Sequence, residues 1–226
     1  MMIYNVISTG SSGNAVLLNG CILIDCGVSI KKLSEFERDI RLVLLTHSHG
    51  DHFKKSTVKN LARNHPALRW GCCDWMAKYL VEAGVLPQNI DIYSTADKEV
   101  EYMYPTLGIK VRPEKLTHNV PNCGYHIFSF NSSDKAFYAT DTGSLDGIEA
   151  KGYNLYLVEA NHGEEEIQER IRRKRESGES FIYEEAAAIN HMSYEKTCAW
   201  LQENMQPHST WVRLHEHKED NNAVHT

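Results

Sequence analysis

The sequence predicts an α/β chain whose strands end in polar, chemistry-bearing residues. Three observations predict it. Short apolar runs recur, and each closes on turn-forming or polar residues. Strand-like and helix-like segments alternate between residues 42 and 83, as βα units do. Residues 90 to 117 then read as successive strands without helices between them.

Taken in order, residues 3 to 8 and 15 to 18 read as strands around the turn Gly10-Ser11-Ser12-Gly13-Asn14. Taken alone, those glycines read as a plain hairpin turn. Residues 21 to 25 form a third strand ending in Asp25, followed by Cys26-Gly27. Residues 42 to 46 form a buried strand, and residues 52 to 64 a helix stopped near Pro66. A short strand at 70 to 72 precedes a helix at 75 to 83, with Asp74 as its expected N-cap and Gly84 as its stop. Strands follow at 90 to 93, 100 to 102 and 109 to 116, then a hairpin at 125 to 130 and 136 to 139. The run from Leu155 is a buried strand with Glu159 at or near its end. A charged helix spans 164 to 175, Ser193 caps a helix over 194 to 204, and 210 to 214 is the last strand.

The 226 residues suit one domain, expected over 1–226, with a sizeable core. No apolar run is long enough for a membrane span and no secretory pattern opens the chain, so the expectation is a cytoplasmic protein without membrane contact. The six cysteines are scattered with no Cys-x-x-Cys, which reads as reduced thiols. A net charge of -6 disfavours a broad nonspecific nucleic-acid surface. Arg170, Arg172, Arg173, Lys174 and Arg175 form the one basic cluster. It reads first as the C-terminal end of a solvated helix, and alternatively as a phosphate contact for nucleic acid.

One stretch concentrates the chemistry. Thr46-His47-Ser48-His49-Gly50-Asp51-His52 directly follows an apolar strand and packs four potential ligands into six residues. Isolated histidines in a polar loop are ordinary turn residues; this density is not. His47 and His49 lie two apart and can share one ion, while Asp51 and His52 point differently and suit a second. Imidazole with carboxylate and no thiolate suits Zn²⁺ or Mn²⁺. Asp25, at the end of a buried strand, is placed to orient a ligand histidine.

The His-x-His-x-Asp-His pattern resembles the signature of the metallo-β-lactamase superfamily. Gly-Ser-Ser-Gly-Asn, then a strand, then Ile24-Asp25-Cys26-Gly27, resembles its branch of tRNase Z-like and WalJ/YycJ-like proteins, which includes phage anti-Pycsar phosphodiesterases. The resemblance implies a four-layer αββα sandwich with the site at one edge. It implies further ligands: His118 after its strand, Asp141 as a bridging carboxylate, and His215 in the last loop. The family has Ser where this chain has His217, so His215 and His217 both remain open for the last ligand. His47, His49 and His118 would hold one ion, and Asp51, His52 and His215 the other. Glu159, paired with His191 in Asn190-His191-Met192-Ser193, resembles the tRNase Z arrangement, with His191 as proton donor. The catalytic set expected is therefore Asp51, Glu159 and His191.

The implied activity is a dinuclear metal-dependent phosphodiesterase that attacks a nucleotide phosphodiester with a metal-bridged hydroxide. A cyclic mononucleotide is preferred over DNA or RNA, because the chain is short and acidic and lacks the long basic arm of tRNase Z. The alternatives are a nuclease of the branch, a glyoxalase II-type thioester hydrolase, and a metal-free binding module. Relatives are commonly dimeric, so a homodimer is expected, with Phe181-Ile182-Tyr183 as a subunit contact, a lid, or core.

Overall fold

The computed structural model describes residues 2–216. His217 lies outside the described residues.

Alternation of apolar side chains builds two sheets that share a core. The first sheet has the order β1 (Tyr4–Ser8), β2 (Ala15–Leu18), β3 (Ile22–Ile24), β4 (Leu42–Leu45), β5 (Arg69–Cys73), β6 (Ile90–Tyr93). Its pairs are antiparallel up to β3 and parallel from β3 to β6. The second runs β12 (Thr210–Leu214), β11 (Leu155–Glu159), β10 (Lys135–Ala139), β9 (Asn122–Ser129), β8 (Ile109–Leu116), β7 (Tyr102–Tyr104). Here β10, β11 and β12 are parallel and the remainder antiparallel.

Because side chains in a strand alternate faces, Val16, Leu18, Ile22, Ile24, Leu42 and Leu44 point inward. They meet Val111, Tyr125, Ile127, Tyr138, Leu155 and Leu157 of the other sheet. The intervening residues Ala15, Leu17, Leu23, Val43 and Leu45 point outward. They pack under α1 (Ile30–Leu33), α2 (Lys55–Asn64) and α3 (Asp74–Glu82) through Leu33, Val58, Leu61, Met76 and Leu80. On the far side, Phe137, Ala139, Tyr156 and Val158 pack under Trp200 and Leu201 of α6 (Tyr194–Asn204). The result is the αββα sandwich. A hairpin of α4 (Glu164–Glu176) and α5 (Tyr183–Asn190) is joined through Ile167, Ile171 and Ala187. No helix among the described residues is long and apolar enough to cross a membrane.

Some boundaries differ from the sequence expectation, for physical reasons. The helix expected from residue 52 begins at Lys55. Residues 52 and 53 are tied instead to the end of β3, through Cys26 N donating to His52 O at 2.8 Å and a Cys26–Phe53 bridge. Asp74 is the first helical residue rather than the cap; Cys73 caps α3, and Asp74 Oδ1 accepts from Trp75 N at 2.8 Å. The strand expected at 100 to 102 lies at Tyr102–Tyr104, and β9 starts three residues earlier than expected, at Asn122. The expected Ser193 cap is present, its hydroxyl accepting from Lys196 N at 3.1 Å.

Outside the site, β9 buries His126 completely. Its Nδ1 accepts from Tyr153 Oη at 2.9 Å, and its Nε2–H donates to Glu114 Oε2 at 3.3 Å. Burial pushes the imidazole below its ordinary value, only partly offset by Glu114. Burial would raise Glu114, but His126 and Lys98 outweigh it and hold it below the usual range. Both groups bind protons more readily when unfolded, so His126 removes stability as pH falls below about 6.5, the free imidazole value, and Glu114 only as it falls below about 4.5. The melting temperature should therefore drop more steeply between pH 7.5 and 5.5 in the wild type than in His126→Gln. Parallel profiles from thermal denaturation would contradict this.

Candidate metal centre

Among the described residues, the predicted site residues gather at the same edge of the sandwich. Asp25 follows β3, His47 to His52 follow β4, and His118 follows β8. Asp141 follows β10, Glu159 ends β11, and His215 follows β12. Three of these, Asp25, Asp141 and His215, adopt left-handed backbone, with φ of 59°, 55° and 51°. That conformation disfavours residues with a Cβ and clusters at functional sites. At His215 two bonds hold it: His215 N donates to Thr9 Oγ1 at 2.8 Å, and Asn161 Nδ2 donates to His215 O at 2.8 Å.

The side chains converge in three groups that share Asp141: with His47, His49 and His118; with Asp51, His52 and His215; and with Glu159, His191 and His215. In the first, His47 Nε2 lies 3.1 Å from His49 Nδ1 and 3.2 Å from Asp141 Oδ2, and His118 Nε2 lies 3.3 Å from His49 Nδ1. In the second, His52 Nε2 lies 2.9 Å from Asp141 Oδ2 and 3.6 Å from Asp51 Oδ2. His215 Nε2 lies 3.2 Å from Asp141 Oδ1 and 3.7 Å from Asp51 Oδ2. Donors held at about 2.0–2.2 Å from one tetrahedral ion lie roughly 3.3–3.5 Å apart. Most of these separations fall near that spacing.

The opposite ring nitrogens are already engaged. His47 Nδ1–H donates to Thr46 Oγ1 at 3.0 Å, and that hydroxyl donates to Asp25 Oδ1 at 2.9 Å. His118 Nδ1–H donates to the Asn190 carbonyl at 3.2 Å, and His52 Nδ1–H to Asp25 Oδ2 at 2.7 Å. Each arrangement fixes the tautomer and turns Nε2 toward the cluster. Burial pushes His118 down to about 4, and burial together with His52 also lowers His47, so both are neutral imidazoles with a lone pair to offer. These two lone pairs face His49 Nδ1 at 3.1 and 3.3 Å, a spacing met either by a proton on that nitrogen or by a cation shared among the three rings.

The second group carries the same demand. Burial opposes charge on His52, yet Asp141 and Asp25 outweigh it and raise the imidazole well above its ordinary value. In the protein alone a proton takes the place of positive charge between these carboxylates. His215 Nε2 is buried with no hydrogen-bond partner, although Asp51 Oδ2 is near. The residues present therefore fit two divalent cations.

Glu159 and His191 form a separate device beside them. Glu159 is fully buried; Oε1 accepts from Thr142 N at 2.6 Å and Met192 N at 3.3 Å, and Oε2 accepts from His191 Nδ1–H at 2.9 Å. With both oxygens engaged, Glu159 acts as an orienting group. A cavity of about 260 Å³ opens onto His49, Asp51, His118, Asp141, His191 and His215. A larger one, about 320 Å³, lies by Met192, Lys196 and Trp200 but collects none of these imidazoles, so the chemistry is assigned to the smaller.

A family model described as Beta-lactamase superfamily domain matches residues 21–212. The chain belongs to the β-lactamase superfamily. Within it, the chain is 27% identical over 175 residues to Exodeoxyribonuclease YycJ of Bacillus anthracis, covering 70% of this chain and 62% of that protein. It is 27% identical over 132 residues to Ribonuclease Z of Alkaliphilus oremlandii (strain OhILAs), covering 47% and 42%. The chain thus spans less than two thirds of the length of either relative. Among solved structures, YhfI of Bacillus subtilis, a metallo-β-lactamase fold protein, superposes with a TM-score of 0.72 at 15% identity, over 96% of this chain and 87% of that one. The short form of human tRNase Z gives 0.68 at 15%, over 96% and 92%. These place the superfamily member in the tRNase Z/YycJ-like branch and in the metallo-β-lactamase fold.

Sequence reasoning missed several supports. Asn14 Nδ2 lies 2.7 Å from His52 Nε2, and its Oδ1 accepts from Gly10 N at 2.8 Å. Tyr138 Oη reaches across the sandwich to Asp25 Oδ2 at 3.1 Å. Asn161 Nδ2 lies 3.0 Å from His215 Nδ1. The glycine turn is also more than a hairpin. Asn14 N donates to Asp51 O at 2.6 Å, and Gly27 N to Asn14 O at 3.0 Å. A Cβ on Gly27 would stand 1.7 Å from Asp51 O and 2.8 Å from His52 N, so only glycine fits under the ligand loop. Gly27→Ala should displace that loop, costing at least about 2–3 kcal/mol as overpacking against backbone. Metal content and urea midpoint would both fall; wild-type values for both would contradict it.

Proposed function

We propose that this protein is a dinuclear metal-dependent phosphodiesterase acting on a nucleotide phosphodiester, with a cyclic mononucleotide as its preferred substrate. The observation that carries this is Asp141, whose single carboxylate faces His47 and His52 through Oδ2 and His215 through Oδ1. His47, His49 and His118 would hold one Zn²⁺ or Mn²⁺ and Asp51, His52 and His215 the other, with Asp141 between. Such a pair lowers the pKa of bound water toward about 7 and offers positive charge to nonbridging phosphate oxygens. His191, oriented through Nδ1 by Glu159, keeps Nε2 for a proton destined for the leaving oxygen. Glu159, buried behind it, keeps the ring from turning.

A small substrate is supported by how the basic cluster is used. Arg170 pairs with Glu166, Arg172 and Arg173 with Glu169, Lys174 with Glu184, and Arg175 with Glu185. Cations so engaged are poorly placed to track a phosphate backbone, which depends on Lys and Arg meeting phosphates. The cavity, bounded on one side by α5, is nucleotide-sized. A nuclease is the second reading, supported by the names of the two relatives. The test is Mn²⁺-loaded protein on cyclic mononucleotides and on single-stranded DNA. Degradation of DNA alone would refute the substrate preference, and inertness toward both, and toward bis(p-nitrophenyl) phosphate, would refute the phosphodiesterase.

A further inference from the structure

One wall of the cavity is a single face of α5. Tyr183, Ala186, Ala187 and Asn190 line it, at the i, i+3, i+4 and i+7 spacing of one helical stripe. The C-terminal end of this stripe is anchored. Asn190 O accepts from His118 Nδ1–H, and Gly143 is so close that a Cβ there would meet Ile189 O at 2.2 Å. The outer side is braced to α4 by the Glu184–Lys174 and Glu185–Arg175 pairs. Tyr183 itself has no hydrogen bond, ion pair or ring partner among the described residues, and it is 47% exposed. A half-exposed aromatic thus lines the cavity from the first turn of a braced helix, followed on the same stripe by two alanines whose side chains are small. Across the cavity, Ser11 and Asn119 supply polar side chains.

We infer that Tyr183 is the platform on which a nucleobase stacks, so that the site selects phosphoesters carrying a base next to the phosphate. This rests on the phosphodiesterase reading for its biological sense but is tested apart from turnover. Base–aromatic stacking contributes about 1–3 kcal/mol and tolerates every base, since each has a π-face. The site should therefore discriminate base from no base far more than one base from another.

The test is calorimetric titration of the Mn²⁺-loaded protein with adenosine 5′-monophosphate and with ribose 5-phosphate. The wild type should bind the nucleotide roughly 5- to 150-fold more tightly. Tyr183→Leu should lose that preference while keeping its affinity for ribose 5-phosphate, and Tyr183→Phe, which keeps the ring, should retain it. Equal affinities in the wild type, no binding of either ligand, or an unchanged preference in Tyr183→Leu would overturn the inference. So would equal weakening of both ligands by that variant, which marks a wall and not a platform. If the preference behaves as expected but no phosphodiester is hydrolysed, the stacking stands and the phosphodiesterase reading falls.

Discussion

Asp141→Asn is expected to empty both halves of the centre and to lower phosphodiester turnover by roughly 10³-fold or more. Elemental analysis after exhaustive dialysis should find close to two Mn²⁺ or Zn²⁺ per wild-type chain and neither held in the variant. The argument is geometric and electrostatic together. Burial disfavours a charged carboxyl at Asp141, but His52, His47 and His215 outweigh burial and hold it well below the usual range. The carboxylate is therefore ionised at any working pH, with Oδ2 facing both ligand groups and Oδ1 the second. An amide keeps the shape but removes the charge, and only one of its two heads can still accept. By contrast Asp51→Asn touches the second group alone and should spare the ion held by His47, His49 and His118. A variant at Asp141 that retains both ions would break the shared-carboxylate description, whatever its activity.

The strands were legible because apolar runs that close on turn residues are a local signal, whereas the sandwich was implied by the family resemblance, since Ala15–Leu18 is apolar throughout and carries no pattern that names its faces. In the structure Val16 and Leu18 face one core and Ala15 and Leu17 the other. Helix α5 was not legible, although Tyr183–Asn190 carries glutamates in its first turn and three alanines. Its apolar pattern is weak because its inner face lines a cavity and not a core; only Ala187 is buried. The same feature that hid the helix makes it a wall of the site. The start of α2 was misplaced because residues after the ligand loop bond to Cys26, a contact that no window around residue 52 contains.

The candidate ligand positions came partly from local density and partly from the resemblance. His47, His49, Asp51 and His52 stand together in sequence, and His118, Asp141, Glu159 and His215 each follow or end a strand. Their supports are scattered polar residues with no local signal. Tyr138 reaches Asp25 across 113 positions, and Asn161 reaches His215 across 54. Thr46 was the exception that could have been found. It precedes His47 at the end of a buried strand and is itself fully buried, where a hydroxyl must find a partner.

His191→Ala should leave both ions in place and lower turnover about 10²- to 10⁴-fold, the range for losing a positioned proton donor. His191 Nδ1 is 3.8 Å from Asp141 Oδ1 but is taken by Glu159 Oε2 at 2.9 Å, so the expectation is that the ring is aimed from behind and serves as donor and not as ligand. His215→Ala provides the contrast, because its buried Nε2 makes no hydrogen bond yet lies 3.2 Å from Asp141 Oδ1, and the variant should lose one ion of the two. Metal loss in the first variant or full occupancy in the second would exchange the roles. Leaving-group dependence separates a proton donor from a residue that merely shapes the cavity. An ester releasing p-nitrophenolate needs little protonation, so His191→Ala should cost it far less than an ester releasing an alkoxide. Glu159→Gln removes the charge behind Nδ1 and leaves one accepting head where Thr142 N, Met192 N and His191 Nδ1–H all donate, so it should show the same pattern. Equal losses on both esters would mean that His191 holds the substrate in place and that the proton comes from elsewhere.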